Sequence, residues 1–174
     1  DVMKHVIPLI LLLSAMYGYA VAEDAFVVIS VDDLLADPSL LETHRYISTG
    51  QPDEQLLAQV ESAGYVAVID LRTAVEDRGM DEPTAVEESG LTYYSLPIAG
   101  GKDITFDNAR ALDTLLAEID GPVFLHCRSG NRVGGLLALS ASARGASEED
   151  ALVIGRKAGL TSLEAVVKER ISER

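Results

Sequence analysis

The chain has 174 residues, 48% of them hydrophobic, with 14 basic and 28 acidic side chains and a formal net charge of −14. Length and composition fit one globular domain and exclude a disordered chain. The charge excludes a bulk surface made for nucleic acid or anionic membrane, so an anion pocket here has to be built locally from specific groups.

The N-terminus reads as a targeting segment. Lys4 and His5 precede a mostly apolar stretch from Val6 to Tyr19, and Ala20-Val21-Ala22 is a small-x-small cleavage site. Residues 1–22 are therefore expected to be a signal peptide cleaved after Ala22, giving a periplasmic or secreted protein with no stable membrane insertion. The apolar run is short for a membrane span, and an uncleaved anchor is the alternative. Residues 23–42 are expected as an N-terminal extension and 43–174 as the domain.

Phe26 to Ile29 is a short apolar run, either a strand or part of the extension. Asp32 to Leu41 is a short helix interrupted near Asp37-Pro38. Arg45-Tyr46-Ile47 gives a first core strand, and Thr49-Gly50-Gln51-Pro52 a turn. Leu56, Leu57 and Val60 are spaced for the apolar face of a helix with Pro52 in its first turn and Gly64 near its end. Tyr65 to Ile69 is a near-continuous apolar run, as expected for a strand covered on both faces. Residues 73–81 are a polar loop, Glu82 to Ser89 a helix, and Leu91 to Leu96 a third strand. Ala99-Gly100-Gly101-Lys102-Asp103 is a glycine-bearing loop, followed by a helix from Thr105, its N-cap, to about Ile119. Gly121-Pro122 leads into the strand Val123-Phe124-Leu125. Beyond it lie helices from Gly134 to Ala143 and from Ser147, and a last one opened by the capping-box pattern Thr161-Ser162-Leu163-Glu164. Strands alternating with helices predict a single α/β domain with a mostly parallel central sheet flanked by helices. Ligand sites in such sheets lie at the carboxyl ends of the strands.

One stretch carries chemistry: His126-Cys127-Arg128-Ser129-Gly130-Asn131-Arg132, between a strand and a helix. Backbone N–H groups of such a loop, with the helix N-terminus behind them, suit an anion. Arg132 adds a bidentate fork for an oxyanion, and the same field favours thiolate at Cys127. A nucleophile and an oxyanion cradle in one loop are the parts of covalent catalysis. Cys127 is the one cysteine, so no internal disulfide forms; the plain alternative is a buried structural thiol. Three scattered histidines and one cysteine give no metal-ligand spacing, and no cofactor is implied.

The loop resembles that of cysteine-dependent phosphatases, with two departures. Four residues separate Cys127 from Arg132 where those enzymes have five, and Val133 stands where they carry a hydroxyl that helps the thiolate leave. Arginine after four residues also resembles rhodanese sulfurtransferases. Thr49-Gly50-Gln51-Pro52, Val68-Ile69-Asp70-Leu71-Arg72, Leu96-Pro97-Ile98 and His126 to Arg132 together resemble the phosphatase-like domain of the beta-lactamase-hydrolase-like family, over about residues 43–160.

That resemblance implies hydrolysis of a phosphomonoester through a cysteinyl-phosphate. Cys127 would attack, and Arg132 with the amides of Arg128, Ser129, Gly130 and Asn131 would hold the oxygens. His126 would orient the loop, while remaining compatible with a plain core histidine. The reaction needs an acid for the leaving oxygen; Asp103 is preferred by position and Asp107 is second. Arg72 either reaches the pocket or forms an ion pair with Asp70, Glu76 or Asp77. The substrate would be a small anion or a phosphorylated partner. The rivals are a sulfurtransferase working through a Cys127 persulfide, and an oxyanion or phospho-partner binding module without turnover.

Overall fold

The structure, a computed structural model, describes residues 26–174. The expected signal peptide lies outside the described residues. Among the described residues five strands form one sheet: β1 (Phe26–Val28), β2 (Tyr46–Thr49), β3 (Ala67–Asp70), β4 (Thr92–Ser95) and β5 (Val123–His126). Every pairing among them is parallel, in the order β1-β2-β5-β3-β4. Among the described residues seven α-helices cover the two faces: α1 (Val31–Ala36), α2 (Glu54–Ser62), α3 (Glu82–Glu88), α4 (Phe106–Glu118), α5 (Asn131–Ala143), α6 (Glu148–Lys157) and α7 (Glu164–Ser172).

Alternation along the strands builds two cores. On one face Ala67, Ile69, Val123 and Leu125 pack with Leu112 of α4, Leu136 of α5, Leu152 of α6 and Val167 of α7. On the other, Ile47, Val68 and Phe124 pack with Leu34 of α1, Leu56 and Val60 of α2 and Val86 of α3. Successive strand side chains point to opposite faces, so a continuous apolar strand feeds both layers. Each of these fully buried Leu, Ile or Phe side chains contributes about 1.5–3 kcal/mol of transfer free energy.

β1 pairs with β2, Phe26 opposite Tyr46, and Leu34 and Leu41 are fully buried. Residues 26–42, expected as an extension, therefore supply the edge strand and part of one core. Three boundaries also differ from expectation. Pro52 precedes α2, whose N-cap is Asp53, accepting from Leu56 N at 2.8 Å. α5 begins at Asn131, three residues before Gly134, because Gly130 already serves as its N-cap. The Thr161 capping box does not form, since α7 is capped by Leu163 without a side-chain hydrogen bond. Thr105 does cap α4, accepting from Asn108 N at 3.2 Å. No helix among the described residues is long and apolar enough to cross a membrane.

The topology places one edge of the sheet in register. β5 fills the gap between β2 and β3, setting His126 opposite both Thr49 and Asp70, and Asp70 opposite Ser95. Everything following those residues emerges at the same carboxyl edge.

Candidate active site

Cys127 follows β5 directly and is 1% exposed. Its sulfur accepts the Gly130 N–H at 3.1 Å, curling the loop back on itself. That curl needs Gly130 in the left-handed region, at φ +82°, where a Cβ would also sit 3.3 Å from Ser48 Oγ. The Gly130 carbonyl then receives Gly134 N at 2.9 Å and α5 is under way, with no side-chain cap on its first turn. Ser129 is tied to Gly50 by an isolated bridge. The thiol thus lies at the N-terminus of a 13-residue helix, where backbone amides and the helix dipole suit an anion.

Arg132 sits beside the sulfur and is held from three sides. Its two Nη atoms each lie 2.7 Å from a separate oxygen of Glu76, a bidentate pair. Nη1 also donates to the carbonyls of Ile98 (2.7 Å) and Leu71 (3.4 Å). The Glu76 hydrogen bonds raise the Arg132 pKa further, desolvation opposes the rise, and the Cys127 sulfur adds to it. The Arg132 hydrogen bonds hold the Glu76 carboxyl well below the usual range, so it stays ionised and cannot serve as an acid.

Glu76 is itself positioned. Arg78 donates to Asp70 Oδ2 at 2.7 Å and to the carbonyls of Arg72, Thr73 and Glu76, which staples the loop that presents Glu76. Burial is the largest influence and works against the Arg78 charge, but the Asp70 hydrogen bond and the nearby charges of Asp70, Tyr93 and Glu82 together outweigh it, and its pKa rises. Tyr93 donates to Asp70 Oδ2 at 2.8 Å; burial first, then that carboxylate, pushes the phenol up.

Asp70, Glu82 and His126 are fully buried, and their nitrogen and oxygens cluster within 4.8 Å. The donor types suit a metal, but the geometry does not. Asp70 is occupied by Arg72 N, Arg78 and Tyr93, and Glu82 Oε2 by Gln51 at 2.8 Å. His126 Nε2 and Glu82 Oε1 are 2.5 Å apart, too close to be two ligands of one ion at bond lengths of about 2 Å in a tetrahedral or octahedral shell.

Several predicted residues have other employment. Arg72 is 7% exposed, and its guanidinium reaches Glu76 (3.1 Å) and Gln51 (2.5 Å), the ion-pair alternative rather than a free anion ligand. The Asn131 side chain turns away to accept from Thr161 N and donate to Ser162 Oγ, each at 2.8 Å, leaving only its backbone to the loop. Asp103 accepts from Ala99 N at 2.8 Å and makes no hydrogen bond or ion pair with the Cys127 loop among the described residues. Asp107 is an exposed partner of Arg110 at 2.8 Å. Arg128 and Ser129 are exposed, and Arg128 has no ion pair among the described residues. The sequence reading missed Glu82, Arg78 and Tyr93 and saw Glu76 only as a partner for Arg72. A cavity of about 500 Å³ is lined by Glu76, Arg78, Glu82 and Tyr93, and Cys127 is not part of its lining.

The stretches that carried the resemblance now have physical roles. Gln51 bridges Arg72 and Glu82, Asp70 anchors Arg78, and Ile98 lends its carbonyl to Arg132. Residues 41–144 match the family model described as "Beta-lactamase hydrolase-like protein, phosphatase-like domain". The chain belongs to that family. A beta-lactamase hydrolase-like protein of Xylella fastidiosa is 33% identical to this phosphatase-like domain over 110 residues, covering 61% of the chain and 25% of that protein. The chain thus spans about a quarter of the length of the curated relatives it matches. A candidate phosphatase of Neisseria meningitidis shares its fold, with a TM-score of 0.65 at 20% identity over 76% of this chain and 96% of that one. A candidate phosphatase of Shewanella putrefaciens does so with a TM-score of 0.55 at 18% identity, over 76% and 89%.

Proposed function

We propose that this phosphatase-like domain is an exported hydrolase that cleaves a phosphomonoester through a cysteinyl-phosphate. The carrying observation is the Cys127 sulfur at the α5 N-terminus, in hydrogen bond with Gly130 N–H and beside an Arg132 guanidinium braced by Glu76 and Ile98. The Cys127 thiolate attacks phosphorus, an S–P bond forms, and the bond to the leaving oxygen breaks. Asp103 gives that oxygen its proton. Water then attacks phosphorus, the S–P bond breaks, the Asp103 carboxylate takes the water's proton, and phosphate leaves. The loop amides and Arg132 stabilise the equatorial oxygens in both steps.

Hydrolysis of an aryl phosphate by the full chain, abolished by Cys127→Ser, is the expected result; turnover that survives the substitution would refute the reading. Export predicts a mature protein starting at Glu23.

A second reading has support from the four-residue span between Cys127 and Arg132 and from a thiol that is 1% exposed, which suits a small donor. Here the thiolate takes the sulfane sulfur of thiosulfate, releasing sulfite, and passes it from the persulfide to cyanide as thiocyanate. Sulfur transfer without phosphate release would select it.

A further inference from the structure

We infer that Glu82 is a positioning residue for the nucleophile: with His126 it holds a proton in the core behind Cys127, and this fixes the other imidazole N–H on the Cys127 carbonyl. The inference starts from two fully buried atoms. His126 Nε2 and Glu82 Oε1 are 2.5 Å apart, yet neither has an aligned hydrogen-bond partner in the structure. Two lone pairs cannot face each other at that distance in a dry core, so a hydrogen lies between them.

The neighbours decide where the remaining hydrogens go. His126 Nδ1 faces the carbonyl of Cys127 at 3.3 Å, a group that only accepts, so Nδ1 carries a hydrogen. Asp70 Oδ1 is 3.7 Å from Nε2 and already receives Arg72 N at 2.7 Å, while its Oδ2 serves Arg78 and Tyr93. Asp70 is therefore engaged elsewhere and Glu82 is the partner of the ring. Glu82 Oε2 receives Gln51 at 2.8 Å and faces Arg78 Nε at 3.4 Å, which orients Oε1 toward the imidazole. The pair holds two protons over three sites and is neutral overall, whether the inner one rests on nitrogen or oxygen.

The consequence reaches the sulfur. A ring flip would set carbon against both Glu82 and the Cys127 carbonyl, so Glu82 locks the ring. The ring locks the Cys127 carbonyl, while Cys127 N faces Thr49 O at 3.5 Å and its sulfur receives Gly130 N. Only the turnover arm of the test below rests on the proposed hydrolysis.

Glu82→Gln and Glu82→Met separate positioning from mere filling of space. In Glu82→Gln the carboxamide oxygen faces Gln51 and Arg78, and its N–H donates to Nε2, which preserves Nδ1–H. Glu82→Met keeps the volume and loses the partner. Ring nitrogen NMR of the full wild-type chain is expected to show His126 Nδ1 protonated. Iodoacetamide alkylation of Cys127 is expected to stay near the wild-type rate in Glu82→Gln. In Glu82→Met it should slow about tenfold, the scale of one lost buried hydrogen bond. Aryl-phosphate kcat should follow the same order with KM nearly constant. An unprotonated Nδ1 in the wild type, or a folded Glu82→Met that alkylates at the wild-type rate, would overturn the inference. The wild-type spectrum decides even if Glu82→Met does not fold. A wild type with no phosphate release would sink the proposed function and leave the NMR and alkylation results standing.

Discussion

Glu76 grips Arg132 from 56 positions upstream, each carboxylate oxygen 2.7 Å from its own guanidinium nitrogen. The arginine is thus aimed before any ligand arrives, by a carboxylate that also receives Thr73 N at 2.9 Å and Arg72 Nε at 3.1 Å. Removing the Glu76 charge leaves the Arg132 fork held through the Ile98 and Leu71 carbonyls on one nitrogen, and Arg72 half-paired. Glu76→Gln is expected to lower unfolding stability at neutral pH by about 1–3 kcal/mol, less than a fully buried pair because Glu76 keeps some solvent. It should also cut turnover at least tenfold. Urea unfolding and aryl-phosphate kinetics check both.

The same pair sets an acid limit. The folded-state pKa of Glu76 is depressed below its ordinary 4.5, so its stabilisation is complete above that value and is lost as pH falls through the folded-state pKa. The stability gap between wild type and Glu76→Gln should therefore be widest at pH 6–7 and shrink as pH drops below about 4. A gap unchanged at pH 3 would disprove the linkage.

Arg132→Lys keeps the charge and loses the fork. A single ammonium cannot span both Glu76 oxygens, the Ile98 carbonyl and a ligand. We expect oxyanion affinity to fall at least tenfold, read by inhibition with orthovanadate or phosphate, and the melting temperature to drop by a few degrees because the bidentate pair with Glu76 is lost as well.

Val133 is fully buried directly after the arginine, where a hydroxyl would assist departure of the sulfur. Val133→Ser is expected to raise phosphate release severalfold and leave the first-step burst unchanged. If release does not rise, sulfur loss does not limit turnover.

α5 and α6 cross at Gly134 and Gly155, where a Cβ on Gly155 would stand 2.8 Å from the Gly134 carbonyl oxygen. Gly155→Ala should destabilise by about 1–3 kcal/mol through overpacking. Calorimetry that shows no loss would mean the helices part freely.

Sheet and cores were legible because period and chain punctuation are local: the apolar strands Val68 and Val123 belong to, the Thr105 cap and the glycines after α2, α3 and α5 are written side by side. The Cys127 loop was legible because a lone cysteine among glycine and arginine is rare. Its supports were not. Glu76 and Glu82 are two of 28 acidic residues, and nothing in their neighbours marks one as the partner of Arg132 or the other as buried. Their roles arise only because β5 inserts between β2 and β3, bringing His126 against residues 44 to 56 positions away. The Thr161 capping box misled for a similar reason: Asn131, 30 residues earlier, had taken the Thr161 N–H.

That last bond has a practical meaning for anyone trimming the protein. The matched family segment stops at residue 144, yet the amide of Asn131 in the reactive loop grips a turn formed by residues 161–163. A polypeptide ended at 144 would keep every side chain of the candidate site and lose the hook that anchors its loop, along with the helices shielding α5 from water. The smallest piece worth expressing therefore runs past Leu163.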